Sequence, residues 1–116
     1  MQNDICREVE SLDWEEHPKF KNVFVKYLLT KRDNDSNITY LLVKTLKGTK
    51  IPKHVHEKSV DIIYPLKGKG EIHIDGFGDF AYVPGNCIII PKNIPHNVDN
   101  VEETLIAIDI FDPATI

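Results

Sequence analysis

Between Gly48 and Gly68 the chain reads GTKIPKHVHEKSVDIIYPLKG, and two histidines, His54 and His56, stand one residue apart just after Pro52. In an extended strand residues i and i+2 share a face, with Cα atoms roughly 6.6 Å apart. A helix would splay the same two side chains, and Pro52 opposes a helix there. Both imidazoles therefore project together, near enough to meet one ion at about 2.0–2.1 Å. Asp61 comes five residues later and opens Ile62-Ile63-Tyr64-Pro65-Leu66, an apolar run that reads as a second strand. With Glu57-Lys58-Ser59 as the turn, Asp61 folds back beside the histidines. His96 follows Pro91-Lys92-Asn93-Ile94-Pro95, a segment held rigid by two prolines and an asparagine. It begins the next extended piece.

His54, His56, Asp61 and His96 form a mixed nitrogen and oxygen donor set. Such donors suit a divalent transition metal (Fe, Mn, Ni, Cu or Zn) and disfavour Ca or Mg. A six-coordinate ion would keep two positions for water, substrate or dioxygen. A four-coordinate Zn would be saturated, as in structural sites. Other polar residues read as structural. His17, before Pro18, belongs to a turn. His73 shares the face of Glu71 and Asp75, away from Ile72 and Ile74, so it lies outside the metal set. Glu57 is a solvated turn residue.

The remaining chain supplies strands. Residues 22–30 and 38–46 form a hairpin through the polar turn Lys31–Asn37. Residues 71–75 alternate polar and apolar, and Asp75-Gly76 signals a tight turn into residues 79–83. Cys87-Ile88-Ile89-Ile90 is wholly apolar and reads as a strand between packed sheets, with Cys87 as a small buried packing residue. A turn over 98–103 leads to a last strand over 104–111. The glycines and prolines fall mostly at these turns, and no long helix is visible. The pattern predicts an all-β sandwich or jelly-roll barrel. With 116 residues there is room for one domain. Residues 1–19 form an acidic arm anchored by Trp14 and Phe20, and residues 20–116 form the barrel.

The order Gly48, His54, His56, Asp61, Gly68 resembles the first motif of the cupin superfamily: Gly, five residues, His-x-His, three or four residues, Glu, six residues, Gly. Gly85, Pro91, Asn93, His96 and Asn100 match the spacing of its second motif. The chain departs twice, with Asp61 for the usual Glu and Asn93 for a Gly. Asp is one methylene shorter, about 1.5 Å of reach, so Asp61 either draws the strand closer or touches the metal through water. Asn tolerates the left-handed backbone conformation. The resemblance implies a jelly-roll (double-stranded β-helix) cupin barrel with a metal inside an apolar pocket. It implies a small-molecule substrate and a metal-dependent enzyme, dioxygenase-like or else an isomerase or decarboxylase. The competing reading is a non-catalytic small-ligand-binding or sensing module with a structural metal. Tyr40, Tyr64 and Tyr82 are candidates for the pocket wall, although Tyr64, three residues from Asp61, should face away and pack. Cupins commonly pair through an outer sheet or an N-terminal arm, so a homodimer is expected.

A formal net charge of −4 gives no reason to expect nucleic acid or an anionic membrane as partner. No apolar run approaches the roughly 20 residues of a membrane helix. Met1-Gln2-Asn3-Asp4 lacks the basic start and apolar core of a leader, so the expected location is cytoplasmic. Cys6 and Cys87 then read as reduced thiols.

Overall fold

The computed structural model describes residues 5–116; the acidic Asp4 and the reading of residues 1–4 as leaderless lie outside the described residues. Among the described residues eight antiparallel strands are present: β1 (Glu15–Glu16), β2 (Val23–Leu29), β3 (Thr39–Thr45), β4 (Ile51–His54), β5 (Val60–Ile74), β6 (Gly78–Tyr82), β7 (Ile88–Ile90) and β8 (His96–Asp112). The hydrogen-bonded order is β1-β2-β3-β8-β5-β6, with β4 on β8 and β7 on β5.

Two strands are far longer than the sequence suggests. Gly68-Lys69-Gly70 reads as a strand end, yet β5 runs on through it for 15 residues. Likewise Val98–Glu103 reads as a turn, yet β8 is continuous for 17 residues. Both strands bend instead of stopping. Gly68 has φ +97° and Asn100 φ +50°, and the β5–β8 register slips between Pro65 and Glu71. Bulges of this kind let one strand pass from one sheet to the other. A Cβ on Gly68 would run into the Thr104 carbonyl and lie 2.8 Å from the Leu105 Cα, so only glycine fits the crossing.

Alternation along these strands builds the interior. Ile63 and Ile72 of β5, Tyr82, Ile88, Ile90, and Leu105 and Ala107 of β8 are buried in one cluster. Val25, Leu41 and Phe111 form a smaller cluster near the opening. Ile88 and Ile90 are buried but Ile89 between them is 61% exposed, so β7 has one wet face and is not sandwiched. Cys87 is exposed before the strand begins, not buried, because the Pro84–Gly85 turn has not yet closed onto the sheet.

The arm packs along β2 and β3. Lys26 donates from Nζ to the Val9 carbonyl (3.0 Å), and the Trp14 ring lies between the ammonium groups of Lys26 (4.8 Å) and Lys44 (4.6 Å). Within the polar turn, Lys31–Asn34 forms one turn of helix, α1. Thr30 caps it by accepting from the Asp33 N–H, and Asp35 ends it in the left-handed conformation. A stretch that reads as a plain polar turn is thus a capped helical turn.

Candidate metal centre

His54 closes β4 and His96 opens β8, and the two are register partners across the ladder. His56 lies just past the end of β4, so it is not held by that strand as the i, i+2 argument supposes. Its backbone carbonyl instead accepts from the Asn93 N–H (2.7 Å), which ties the first motif to the second. Asn93 adopts φ +63°, as the left-handed reading requires.

The three rings converge. Ring centroids lie 4.3 Å apart for His54 and His96, 5.2 Å for His54 and His56, and 5.3 Å for His56 and His96. One ring nitrogen from each lies within 4.8 Å of the others. Three nitrogens gathered on one ion at about 2.1 Å stand about 3.0–3.4 Å apart, so the rings would close by up to about 2 Å. The local chain aims two of the rings. His54 donates from Nδ1 to the Pro52 carbonyl (2.8 Å) and His96 from Nδ1 to the Ile94 carbonyl (3.0 Å). A carbonyl only accepts, so the proton sits on Nδ1 and the Nε2 lone pair is free. His96 Nε2 is buried with no hydrogen-bond partner, which is what an ion would relieve.

Asp61 is buried beside them. Its Oδ2 lies 3.6 Å from His56 Nε2 and 3.9 Å from His96 Nε2, while its Oδ1 is buried without a partner. It stays outside the three-histidine group, in keeping with its shorter reach.

Electrostatics favour the metal-ready state. Burial lowers the pKa of His56 to about 4, helped by the charges of His54, His96 and Lys19. Burial also lowers His54 and His96, against the pull of their carbonyl partners. Neutral imidazoles are what a cation binds.

One residue of the pocket is absent from the set that the sequence offers. Asp109 faces inward on β8 and its carboxyl meets that of Asp61. Burial and the Asp109 charge push Asp61 upward, and burial raises Asp109 to about 6. Part of the Asp109 residue surface is exposed, but its Oδ1 is sealed and unpartnered. Tyr82, fully inside, is raised by burial and by the same two carboxyls. Asp109 has the parity of Leu105, Ala107 and Phe111, an acid on an otherwise apolar face. That signal was readable.

These groups line a cavity of about 80 Å³. An adjoining cleft of about 330 Å³ shares His17, Phe20, His54, His56, Asp109 and Phe111 as walls. A larger trough of about 580 Å³ lies elsewhere, over Lys69, Glu71, Phe80 and Asn100, and none of the histidines lines it. Among the three tyrosines, Tyr82 is a wall of the inner cavity. Tyr40 and Tyr64 occupy the other face of the sheet, where Tyr64 is 48% exposed and not packed. His17 keeps its turn role, accepting at Nδ1 from the Lys19 and Phe20 N–H groups, and it also lines the cavity. His73 is half-exposed and bonds Asp79, apart from the site.

Comparison with solved structures gives the same fold repeatedly. KdgF from a Halomonas species aligns with a TM-score of 0.74 at 23% identity, covering 90% of each chain. Ectoine synthase from P. lautus aligns at 0.81 and 18% identity, covering 95% of this chain and 78% of that one. A predicted oxalate decarboxylase from Thermotoga maritima aligns at 0.78 and 20% identity, covering 91% and 96%. At such identities the likeness concerns the fold alone. No curated protein matches the chain in sequence. The family model described as “Cupin domain” matches residues 41–111, from β3 to the end of the core part of β8. With more than half its length matched and both motifs meeting at one pocket, the chain belongs to the cupin family.

Proposed function

We propose that this cupin is a metal-dependent enzyme acting on a small organic molecule. His54, His56 and His96 would hold a divalent transition metal through Nε2, with Asp61 as the fourth group, directly or through water. The observation that carries this is the convergence of three ring nitrogens within 4.8 Å of one another, with that of His96 buried and without a hydrogen-bond partner. Groups so buried are ordinarily satisfied.

When bound, the ion supplies Lewis acidity or, if it is redox-active, a place for dioxygen. The protein supplies the remainder. Phe20, Val43, Ile63 and Phe111 keep bulk water from the rings. Asp109, a buried carboxyl raised to about 6 beside the site, is placed to lend a proton to or take one from a substrate carbon or oxygen. That carboxyl favours proton-transfer chemistry, such as isomerisation or decarboxylation, beside the dioxygenase reading. The named activities of the ectoine synthase and oxalate decarboxylase relatives are compatible with it.

Metal analysis of protein purified without added metal, followed by oxygen uptake with 1,3-diketones, thiols, catechols and keto acids, tests the proposal. Stoichiometric Fe, Mn, Ni or Cu with oxygen consumption supports the oxidative branch. Solvent deuterium entering product without oxygen consumption supports the proton-transfer branch. Zinc with no exchangeable water and no turnover supports the non-catalytic module instead.

The assembly we propose is a homodimer through the outer face of β3, β8, β5 and β7. Ile62, Tyr64, Ile89, Ile108 and Ile110 lie side by side there, and Tyr64 and Ile89 are largely exposed. Strands apolar on both faces ordinarily have both covered. Being uncharged, the patch can meet its own copy without repulsion, as a two-fold interface requires. A reducing, cytoplasmic setting fits two free, exposed cysteines. Among the described residues no helix is long and apolar enough to cross a membrane.

A further inference from the structure

We propose that the cleft above the histidines receives the carboxylate of a small organic acid, held by the Lys19 ammonium and the His17 ring N–H. This rests on the metal-pocket reading above and names the substrate class for it.

His17 accepts two backbone N–H groups at Nδ1, from Lys19 (3.0 Å) and Phe20 (3.2 Å). A nitrogen that accepts carries no proton, so the hydrogen of the neutral ring sits on Nε2, which is left as a donor. The ring lines both the inner cavity and the cleft. Lys19 lines the cleft as well, and among the described residues no carboxylate pairs with it. Its charge bears on His17, His54 and His56 together, which places it over the site.

The support beneath these two groups is fixed. The His17 N–H donates to the Val23 carbonyl (2.8 Å). Phe20 stacks on His17 with centroids 4.7 Å apart and meets the His54 ring at 4.9 Å. The walls between are apolar, from Phe20, Val43 and Phe111, and among the described residues the sole acidic side chain lining the cleft is Asp109. A cation and a donor at the rim over an apolar throat suit a short carbon chain with a carboxylate at its outer end. The cleft volume suits a small molecule.

Calorimetry with butyrate and butyramide, and with succinate and succinamide, tests this on the full chain with and without metal. The acids should bind and the amides should not, and added salt should weaken the acids. Lys19→Met should weaken acid binding about tenfold with metal content unchanged. His17→Asn retains a side-chain oxygen to accept the Lys19 and Phe20 N–H groups but removes the ring donor, and it should weaken the acids similarly. Equal binding of acids and amides, no binding of either acid, or full acid affinity in both variants overturns the proposal. Acid binding that depends on Lys19 in protein that takes up no metal supports it while overturning the metal reading, so the two failures are separable.

Discussion

At the level of single residues, the site divides into donors the chain aims and donors the fold aims. His54 and His96 are each oriented by a carbonyl two residues earlier, while Asp61 is placed by the β5–β8 ladder and by Asp109. His54→Ala or His96→Ala should lower metal affinity by at least about a hundredfold, read by competition with a chromophoric chelator. Asp61→Asn should cost less if that carboxyl reaches the ion through water. The carboxyl pair makes a second prediction for metal-free protein. Asp109 has its pKa raised from 3.8 to about 6, so its stabilising contribution is present at low pH and lost as pH rises through about 6. Asp109→Asn removes that loss. Its melting temperature should exceed the parent's increasingly from pH 4 to 7, read by thermal scans across pH. The histidines act the other way. Their lowered pKa values give stability that is present above 6.5 and lost as pH falls toward about 4 for His56. Strand spacing together with the resemblance to the paired cupin motifs singles out the three histidines and Asp61 in the sequence. Asp109 shows in the sequence only as an acid at an apolar parity; its pairing with Asp61 does not show, because the two lie 48 positions apart and only strand register brings them together.

Among the elements, the sequence revealed where strands begin far better than where they continue. Gly68 and Val98–Glu103 look like breaks because turn residues and bulge residues are the same types. Only contact with the opposite strand distinguishes a bend from an end. Gly68→Ala adds a Cβ against the Thr104 backbone at a positive φ, and it should destabilise by more than about 1 kcal/mol. Chemical denaturation would show this as a lower midpoint, and an unchanged midpoint would mean that β5 does not need its crossing. The apolar run at β7 misleads for another reason: its composition suggests a strand covered on both faces, but Ile89 is exposed between buried Ile88 and Ile90, and Cys87 lies ahead of the strand.

For the molecule as a whole, jelly-roll architecture was readable from turn spacing and the paired motifs, whereas the way its halves share strands was not. Because the bound ion would be gripped from β4, the β4–β5 turn and β8 at once, adding a strong chelator to metal-loaded protein should lower its melting temperature. No shift would count against a gripped ion. Sedimentation should find a dimer, and Ile108→Glu, which sets a charge in the centre of the apolar outer face, should give a folded monomer. The long strands β5 and β8 serve both sheets, and Val60 pairs with Asp112 at the far end of the sequence. Neither half can close before that distant partnership forms, which is a slow search for a chain of this size. Once formed, neither half can loosen without unzipping the other. Amide protons facing the histidine pocket and those at the opposite end should therefore exchange through the same rare, global opening.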